Sequence, residues 1–436
     1  MSVITLSPDQ EIALDTLFRG VMQGKRKLVL TGPAGSGKST IVDMLEDRLM
    51  EASRPVAYMA PTGKAANRLR EIMSLREGRS PRPVATVHSR LYRGVSQKDD
   101  GGVVFYNPVQ ICMGGEVLIC DESSMVDTVL DRAIEDNLPP GSNLIYVGDR
   151  EQLPPVSGKG WGPDFDNPDA VLTEIHRQSK GNPILRISAA VRQGGKLPEQ
   201  SVEPFYVRRR GSLSDVAAWA VEQMEAGIDV AVICFTNKSV AGLNRLIRMM
   251  MGYRELGPVV VGEKLLCRHN NKDLGWMNGE ALTVLGIEGT FGEMWNGRYP
   301  PGSVARKHAE QWYGDVGPEQ MASLRLRLSG AGLDHGKAWI QPGLIGTKYG
   351  DHFYPFSKQL RALTYKHYLH VDYGYAITYH RSQGSQWPLV ALVLDDTMEW
   401  RAKQGAQNAE TIRRMVYTGI TRTRDKAWVW DTRRRG

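Results

Sequence analysis

Apolar residues recur along this chain with two periods. Between residues 8 and 24, Leu14, Leu17, Phe18 and Val21 keep the three- and four-residue spacing of one helix face. The stretch that follows, Lys27-Leu-Val-Leu-Thr31, is a continuous apolar run of strand length that opens into a glycine-rich loop. Comparable runs lie at Val56 to Ala60, Val117 to Cys120 and Leu144 to Val147, with helical stretches between them. Strands that are apolar on both faces belong to parallel sheets covered by helices, so this half predicts one complete α/β lobe. A second set begins at Asp229-Val-Ala-Val-Ile-Cys-Phe235 and resumes at Tyr375-Ala-Ile-Thr378, Leu389 to Leu394 and Ala427 to Trp430, which predicts a second, interrupted α/β lobe. The interruption, roughly 253 to 370, is rich in Gly, Pro and aromatics, among them Trp276, Trp295, Trp312, Tyr313, Trp339, Phe353, Tyr354 and Phe356. That composition predicts a small β-rich insert with long loops. A shorter insert, Arg93 to Tyr106, carries Asp99-Asp-Gly-Gly102, a two-residue hairpin signal, and should protrude from the first lobe.

At 436 residues the chain exceeds one ordinary domain. Its 55 Lys+Arg against 48 Asp+Glu give a net charge of +7, which suits a polyanionic partner and equally fits a bland basic surface. Cys112, Cys120, Cys234 and Cys267 are far apart without paired spacing, the pattern of reduced core thiols. Residues 1 to 10 show no basic region followed by an apolar stretch, and apolar runs elsewhere are strand-sized. A soluble chain of the cytosol, bacterial or phage-infected, is expected, with no membrane partner.

Gly32-Pro-Ala-Gly-Ser-Gly-Lys-Ser39 fits the G-x-x-x-x-G-K-[ST] pattern between a predicted strand and a predicted helix. Its glycines let backbone N–H groups wrap phosphates at a helix N-terminus, Lys38 meets the β and γ oxygens, and the Ser39 hydroxyl ligates Mg²⁺. The nucleotide-binding set is therefore Gly32, Pro33, Ala34, Gly35, Ser36, Gly37, Lys38, Ser39 and Thr40, with ATP and Mg²⁺ as the expected ligands. Val117-Leu-Ile-Cys-Asp121-Glu122 ends a buried strand in two carboxylates at the sheet's carboxyl edge, where Asp121 would hold Mg²⁺ and Glu122 would deprotonate the attacking water. Val147-Gly-Asp149-Arg-Glu-Gln152 closes another strand with an amide, Gln152, placed to sense a γ-phosphate. Ser7-Pro-Asp-Gln10 forms a capping box, which by itself accounts for Gln10.

The order of these motifs resembles the superfamily-1 helicases, in the branch of RecD and Dda, over nearly the whole chain. The resemblance rests on Leu6-Ser-Pro-Asp-Gln10, the phosphate loop, Ala60-Pro-Thr-Gly-Lys-Ala-Ala66, Thr86-Val-His-Ser89, Asp121-Glu-Ser-Ser-Met125, Gly148-Asp-Arg-Glu-Gln-Leu-Pro-Pro-Val156, Ile377-Thr-Tyr-His-Arg-Ser-Gln-Gly-Ser-Gln386 and Val416-Tyr-Thr-Gly-Ile-Thr-Arg-Thr-Arg424. It implies two RecA-like parallel-sheet lobes: a first at 1–85 and 113–178 and a second at 179–252 and 371–436. It further implies a β-hairpin pin at 86–112 and an SH3-like β-rich insert at 253–370. The family assigns an adenine contact to Gln10 and arginine fingers to Arg177 and Arg422. Pro61, Thr62, Lys64, Thr86, His88, Thr236, Asn237, His380 and Gln383 would line a nucleic-acid groove, gripping phosphate and sugar without reading bases. Each of these could instead be a helix cap or a satisfied core polar group. For His380 a metal-ligand role is unsupported, because no second His, Cys or carboxylate stands at ligand spacing. The aromatics of Phe291 to Ser329 read as core or as base-stacking platforms, and Arg433 to Arg435 as a solvated tail or a nucleic-acid contact.

The expected activity is ATP-dependent unwinding with 5′ to 3′ movement on single-stranded DNA. Polarity follows from Ala60-Pro-Thr-Gly-Lys-Ala-Ala66 standing where the opposite branch usually carries Thr-Phe-Thr-Asn-Lys-Ala-Ala. A monomer acting on single strands and on junctions with duplex is expected, with single-strand-binding or replication proteins as candidate partners. A translocase that strips proteins without unwinding, a non-motor subunit or loader of a larger assembly, and RNA as the track remain alternatives.

Overall fold

The computed structural model describes residues 5–74, 83–97, 103–155, 158–173, 182–253, 259–268, 276, 279–290, 322–328, 334–340, 369 and 371–433. In the first lobe, helix α1 (Pro8–Met22) leads into β1 (Lys27–Thr31), α2 (Lys38–Glu51), β2 (Val56–Ala60) and α3 (Gly63–Ser74). Then follow β3 (Val84–Thr86), α4 (Val87–Leu91), the hairpin β4 (Tyr92–Gln97) and β5 (Val103–Pro108), β6 (Val117–Cys120), α5 (Thr128–Asp136), β7 (Asn143–Gly148) and β8 (Ala170–Val171). Six strands form one parallel sheet in the order β3-β2-β6-β7-β1-β8. Alternate residues of each strand face opposite cores. Leu28, Leu30, Tyr58, Ile119, Ile145 and Val147 pack with Leu14, Leu17, Ile41, Leu45 and Leu69 of α1, α2 and α3. Val29, Met59, Leu118, Cys120 and Tyr146 pack on the other side with Val87, Leu91 and Ile134 of α4 and α5. Burial on both faces is why these strands read as unbroken apolar runs.

The hairpin strands pair antiparallel from Tyr92↔Pro108 to Gln97↔Val103; the predicted turn, Asp99 to Gly102, lies outside the described residues. Val87, Leu91 and Ile111 belong to the lobe's core, so the hairpin proper is narrower than the expected 86–112.

The second lobe holds α6 (Pro183–Arg192), β9 (Phe205–Arg209), α7 (Leu213–Glu225), β10 (Val230–Cys234) and α8 (Asn237–Met250). After the insert come β15 (Val371–Tyr373), β16 (Ala376–Thr378), α9 (Tyr379–Ser382), β17 (Trp387–Leu394), α10 (Asp396–Ala402), α11 (Ala406–Ile420) and β18 (Thr423–Asp431). Its parallel sheet has the order β16-β10-β17-β18-β9. The insert contributes β11 (Lys264–Cys267), β12 (Ala281–Thr290), β13 (Ala322–Leu328) and β14 (Asp334–Ile340), which with β15 make an antiparallel sheet in the order β14-β13-β12-β11-β15. The segment 291–321, with most of the predicted aromatic stretch, lies outside the described residues. Cys120, Cys234 and Cys267 are buried thiols and Cys112 is half-buried. No helix among the described residues is long and apolar enough to cross a membrane.

A buried ion pair fastens the insert to the second lobe. Arg248 of α8 and Glu263, just before β11, are both fully buried; Arg248 Nη2 donates to Glu263 Oε2 at 3.3 Å while Nε donates to Oε1. The guanidinium also lies 4.2 Å from the centre of the Tyr373 ring, and Glu263 Oε2 accepts from the Val260 amide at 3.0 Å. Asn244, one turn earlier on α8, accepts from the Ala376 amide at 2.8 Å and donates to the Tyr373 carbonyl at 3.0 Å, tying the β15–β16 connection to the same helix. Removing one partner of such a pair leaves an uncompensated buried charge. Arg248→Met should therefore cost about 3–5 kcal/mol in urea unfolding, and Arg248→Met with Glu263→Leu markedly less, since an apolar replacement of both partners is tolerated.

Candidate active site

The phosphate loop leaves the carboxyl end of β1 and turns into α2. Gly35 and Gly37 have φ of 79° and 87°, the left-handed region that disfavours a side chain, and Gly37 caps the helix. Lys38 Nζ donates to the carbonyls of Gly32 at 2.8 Å and Pro33 at 2.9 Å. Burial lowers its pKa, opposed by the charges of Asp149, Asp121 and Glu122, so three carboxylates face this one ammonium. Gln10 makes the capping contact and also reaches the phosphate loop. Its Oε1 accepts from the Ser7 amide at 3.1 Å, the capping contact, and its Nε2 donates to the Ser36 carbonyl at 3.0 Å, which places it against the loop. Within the loop Ser36 Oγ donates to the Pro33 carbonyl at 2.9 Å.

Asp121 and Glu122 follow β6. Asp121 Oδ1 accepts from the Glu122 amide at 2.8 Å, and burial together with the adjacent Glu122 charge pushes its carboxyl up to about 6. Glu122 has φ 51°, a strained conformation for a residue with a side chain. Across the cleft, Arg422 at the end of α11 donates Nε to the Thr418 carbonyl and Nη2 to Thr421 Oγ1, both at 3.1 Å, and brings Nη1 to 3.5 Å from Glu122 Oε1. The carboxylate singled out as a base and one guanidinium singled out as a finger thus meet from opposite lobes. The other, Arg177, lies outside the described residues. Gln152 is buried, with Oε1 lacking a hydrogen-bond partner among the described residues.

Ser39, in the first turn of α2, and Asp121 offer hard oxygen donors, and the crowding of carboxylates around Lys38 favours added positive charge. This donor chemistry suits Mg²⁺.

Several residues of the junction were not singled out from sequence. The Tyr417 hydroxyl, on α11, accepts from the Ala34 amide of the phosphate loop at 3.2 Å and donates to the fully buried Asp149 carboxylate. Thr418 Oγ1 accepts from the Leu153 amide at 3.3 Å, and Leu153 packs into the second lobe's core beside Met415, Val416 and Ile420. Arg413 reaches Glu151, Glu410 and the carbonyls of Val191 and Arg192. All three of Arg413, Tyr417 and Thr418 lie on α11 beside or within a quoted motif, yet a tyrosine on an apolar helix face reads as core.

The expected nucleic-acid residues fall at strand-to-helix joints. Thr62 Oγ1 accepts from the Ala65 amide at 3.2 Å, Thr86 Oγ1 from Ser89 at 3.1 Å and Thr236 Oγ1 from Ser239 at 3.0 Å, so these hydroxyls serve as helix caps. Asn237 is exposed at the start of α8, and Pro61 is half-buried before α3. Lys64 Nζ lies 4.6 Å from the centre of the Trp387 ring, and burial with the nearby Arg422 charge pushes its ammonium down to about 7. His88 and His380 are lowered by burial. Gln383 is buried and donates to the Leu153 carbonyl at 3.3 Å, joining the lobes in this structure.

Residues 5–209 match the model of an AAA domain and residues 373–430 that of the UvrD-like helicase C-terminal domain. Over 462 residues the chain is 24% identical to the ATP-dependent DNA helicase dda of Enterobacteria phage T4, covering 97% of this chain and 99% of that protein. It is 27% identical over 428 residues to the ATP-dependent RecD2 DNA helicase of Deinococcus radiodurans, covering 97% of this chain and 48% of that one, about half its length. A Bacteroides Pif1 helicase solved in complex with ADP-AlF3 and ssDNA has a TM-score of 0.52 at 16% identity, covering 98% of this chain and 92% of that one, a likeness of fold. The first of these models spans the parallel sheet of the first lobe and reaches β9, the second covers β16, β17 and most of β18, and with the quoted motifs meeting between the lobes the chain is similar over nearly its whole length to superfamily-1 helicases of the Dda and RecD branch.

Proposed function

We propose that this chain is an ATP-dependent DNA helicase that moves 5′ to 3′ along one strand. The observation that carries the ATPase reading is the approach of Arg422 to Glu122, 3.5 Å across the lobe boundary and beside the phosphate loop. Glu122 takes the proton of the attacking water as its oxygen bonds to the γ-phosphorus, and the bond to the β–γ bridging oxygen breaks with its electron pair leaving on ADP. Lys38 holds the β and γ oxygens. Arg422 stabilises charge that develops on the transferring group, and because it comes from the second lobe it does so only in the closed cleft. Ser39 and Asp121 would hold Mg²⁺, which neutralises charge on the phosphate oxygens.

The track reading is supported by the chemistry of the strand-to-helix joints. The N-termini of α3 and α8 present backbone amides beside Thr62 and Thr236, which suits gripping a sugar-phosphate backbone irrespective of sequence. The relatives named as DNA helicases favour DNA over RNA. Polarity rests on the Ala60 to Ala66 motif, and strand separation on the β4–β5 hairpin as the pin. The chain works as a cytosolic monomer on single strands and at their junctions with duplex.

Lys38→Ala should abolish ATP turnover in a phosphate-release assay. Glu122→Gln should still bind ATP but turn it over about 10²–10⁴-fold more slowly, and normal turnover would remove Glu122 from the role of base. Strand displacement should proceed from a 5′ single-stranded tail and not from a matched 3′ tail; the reverse preference overturns the polarity. Deleting residues 94–104 should impair duplex opening while sparing DNA-stimulated ATPase, and unchanged unwinding would discard the pin.

A further inference from the structure

Arg192 ends α6 on the second lobe, and nothing in the motif order gives it a task. Its Nη2 stands 3.6 Å from Oδ1 of Asp149, a carboxylate with no exposed surface, while the arginine side chain keeps 27% of its own. That contact is loose: a guanidinium and a carboxylate that exist only to hold each other settle into two parallel bonds shorter than about 3 Å. Arg192 Nε is buried and makes no hydrogen bond among the described residues, so the fork retains donors that its present partner does not take. The backbone beneath is fixed, because Arg413 binds the carbonyls of both Val191 and Arg192.

The surroundings say what the free donors face. Asp149 Oδ2 accepts from the Tyr417 hydroxyl, which itself accepts from the Ala34 amide at 3.2 Å. Three contacts therefore lead from the guanidinium to a phosphate-loop N–H. Ala34 and Lys38 belong to the same loop, so the contacts through Asp149 and Tyr417 bring the guanidinium of the second lobe to the phosphate loop of the first. A tetrahedral, multiply charged oxyanion seated on the loop would offer its oxygens to the donors that a single carboxylate leaves unused.

We propose that Arg192 is a further catalytic residue, a guanidinium supplied by the second lobe to the terminal phosphoryl group of the bound nucleoside triphosphate, with Asp149 and Tyr417 positioning it. The proposal rests on the ATPase reading above and adds a second described finger to Arg422. Arg192 exchanges no proton; the water's proton still goes to Glu122 and the electron pair of the broken bond to ADP. It binds charge that is present while the γ-phosphoryl is attached or in transfer and gone once ADP remains.

The test uses the full chain with single-stranded DNA, comparing wild type with Arg192→Gln and Arg192→Lys. Steady-state ATPase is read as kcat and KM, and binding of a fluorescent ADP is measured with and without aluminium fluoride. Arg192→Gln should lower kcat about 10²–10³-fold and weaken ADP–aluminium fluoride in proportion, leaving ADP alone bound as in wild type. Arg192→Lys keeps charge without the fork, so it should remain folded by thermal unfolding and lose part of the same effect, which answers the question if the glutamine variant is unstable. Unchanged kcat in both variants overturns the proposal, as does equal loss of ADP and ADP–aluminium fluoride binding, the mark of a structural role. Absence of turnover by the wild-type chain overturns the ATPase reading itself, and this proposal with it.

Discussion

The two lobes are joined through polar groups satisfied across their boundary, and the segment Asp149–Leu153, Gln152 Oε1 excepted, carries most of those contacts. Asp149 takes the Tyr417 hydroxyl, Glu151 takes Arg413, and Leu153 gives its amide to Thr418 and its carbonyl to Gln383. Each of these would be costly to bury alone. Leu153 adds an apolar anchor in the second lobe's core. Any separation of the lobes must exchange these contacts for water, so cleft opening and the chemistry at the phosphate loop are bound to the same short stretch of chain.

The same geometry explains how loops from distant parts of the sequence converge. Parallel strands place the carboxyl ends of β1, β6 and β7 on one edge, which brings Lys38, Asp121, Glu122 and Asp149 together although more than a hundred residues separate the first from the last. The second sheet presents α6 and α11 to that edge, and their ends supply Arg192, Tyr417 and Arg422.

Much of this was legible in the sequence, for a physical reason. Strands buried on both faces, such as Leu144 to Val147 or Val230 to Cys234, have nothing polar to confuse them with, and a phosphate loop needs its glycines. The short edge strands Ala170–Val171 and Val84–Thr86, and the half-exposed Phe205–Arg209, carry too few apolar positions to be read. Among candidate site residues, Lys38, Glu122 and Arg422 were singled out because their spacing belongs to motifs. Arg192 was not, because an arginine in the last turn of a helix is already explained by the helix dipole. Gln383 shows the opposite limit: its motif was recognised, but only the packing reveals that its amide nitrogen donates to the Leu153 carbonyl across the lobe boundary.

The insert's attachment has a mechanical meaning. Arg248–Glu263 and Asn244 weld the antiparallel sheet to α8, and β15 runs into β16 with only two residues between, so the sheet is a cantilever built into the second lobe. Close to the clamped edge, just before β12, Glu280 accepts from Asn67 of α3, so the sheet also touches the first lobe. A stiff arm clamped along one edge turns a small rotation of the second lobe into a larger sweep of its outer strands, β13 and β14.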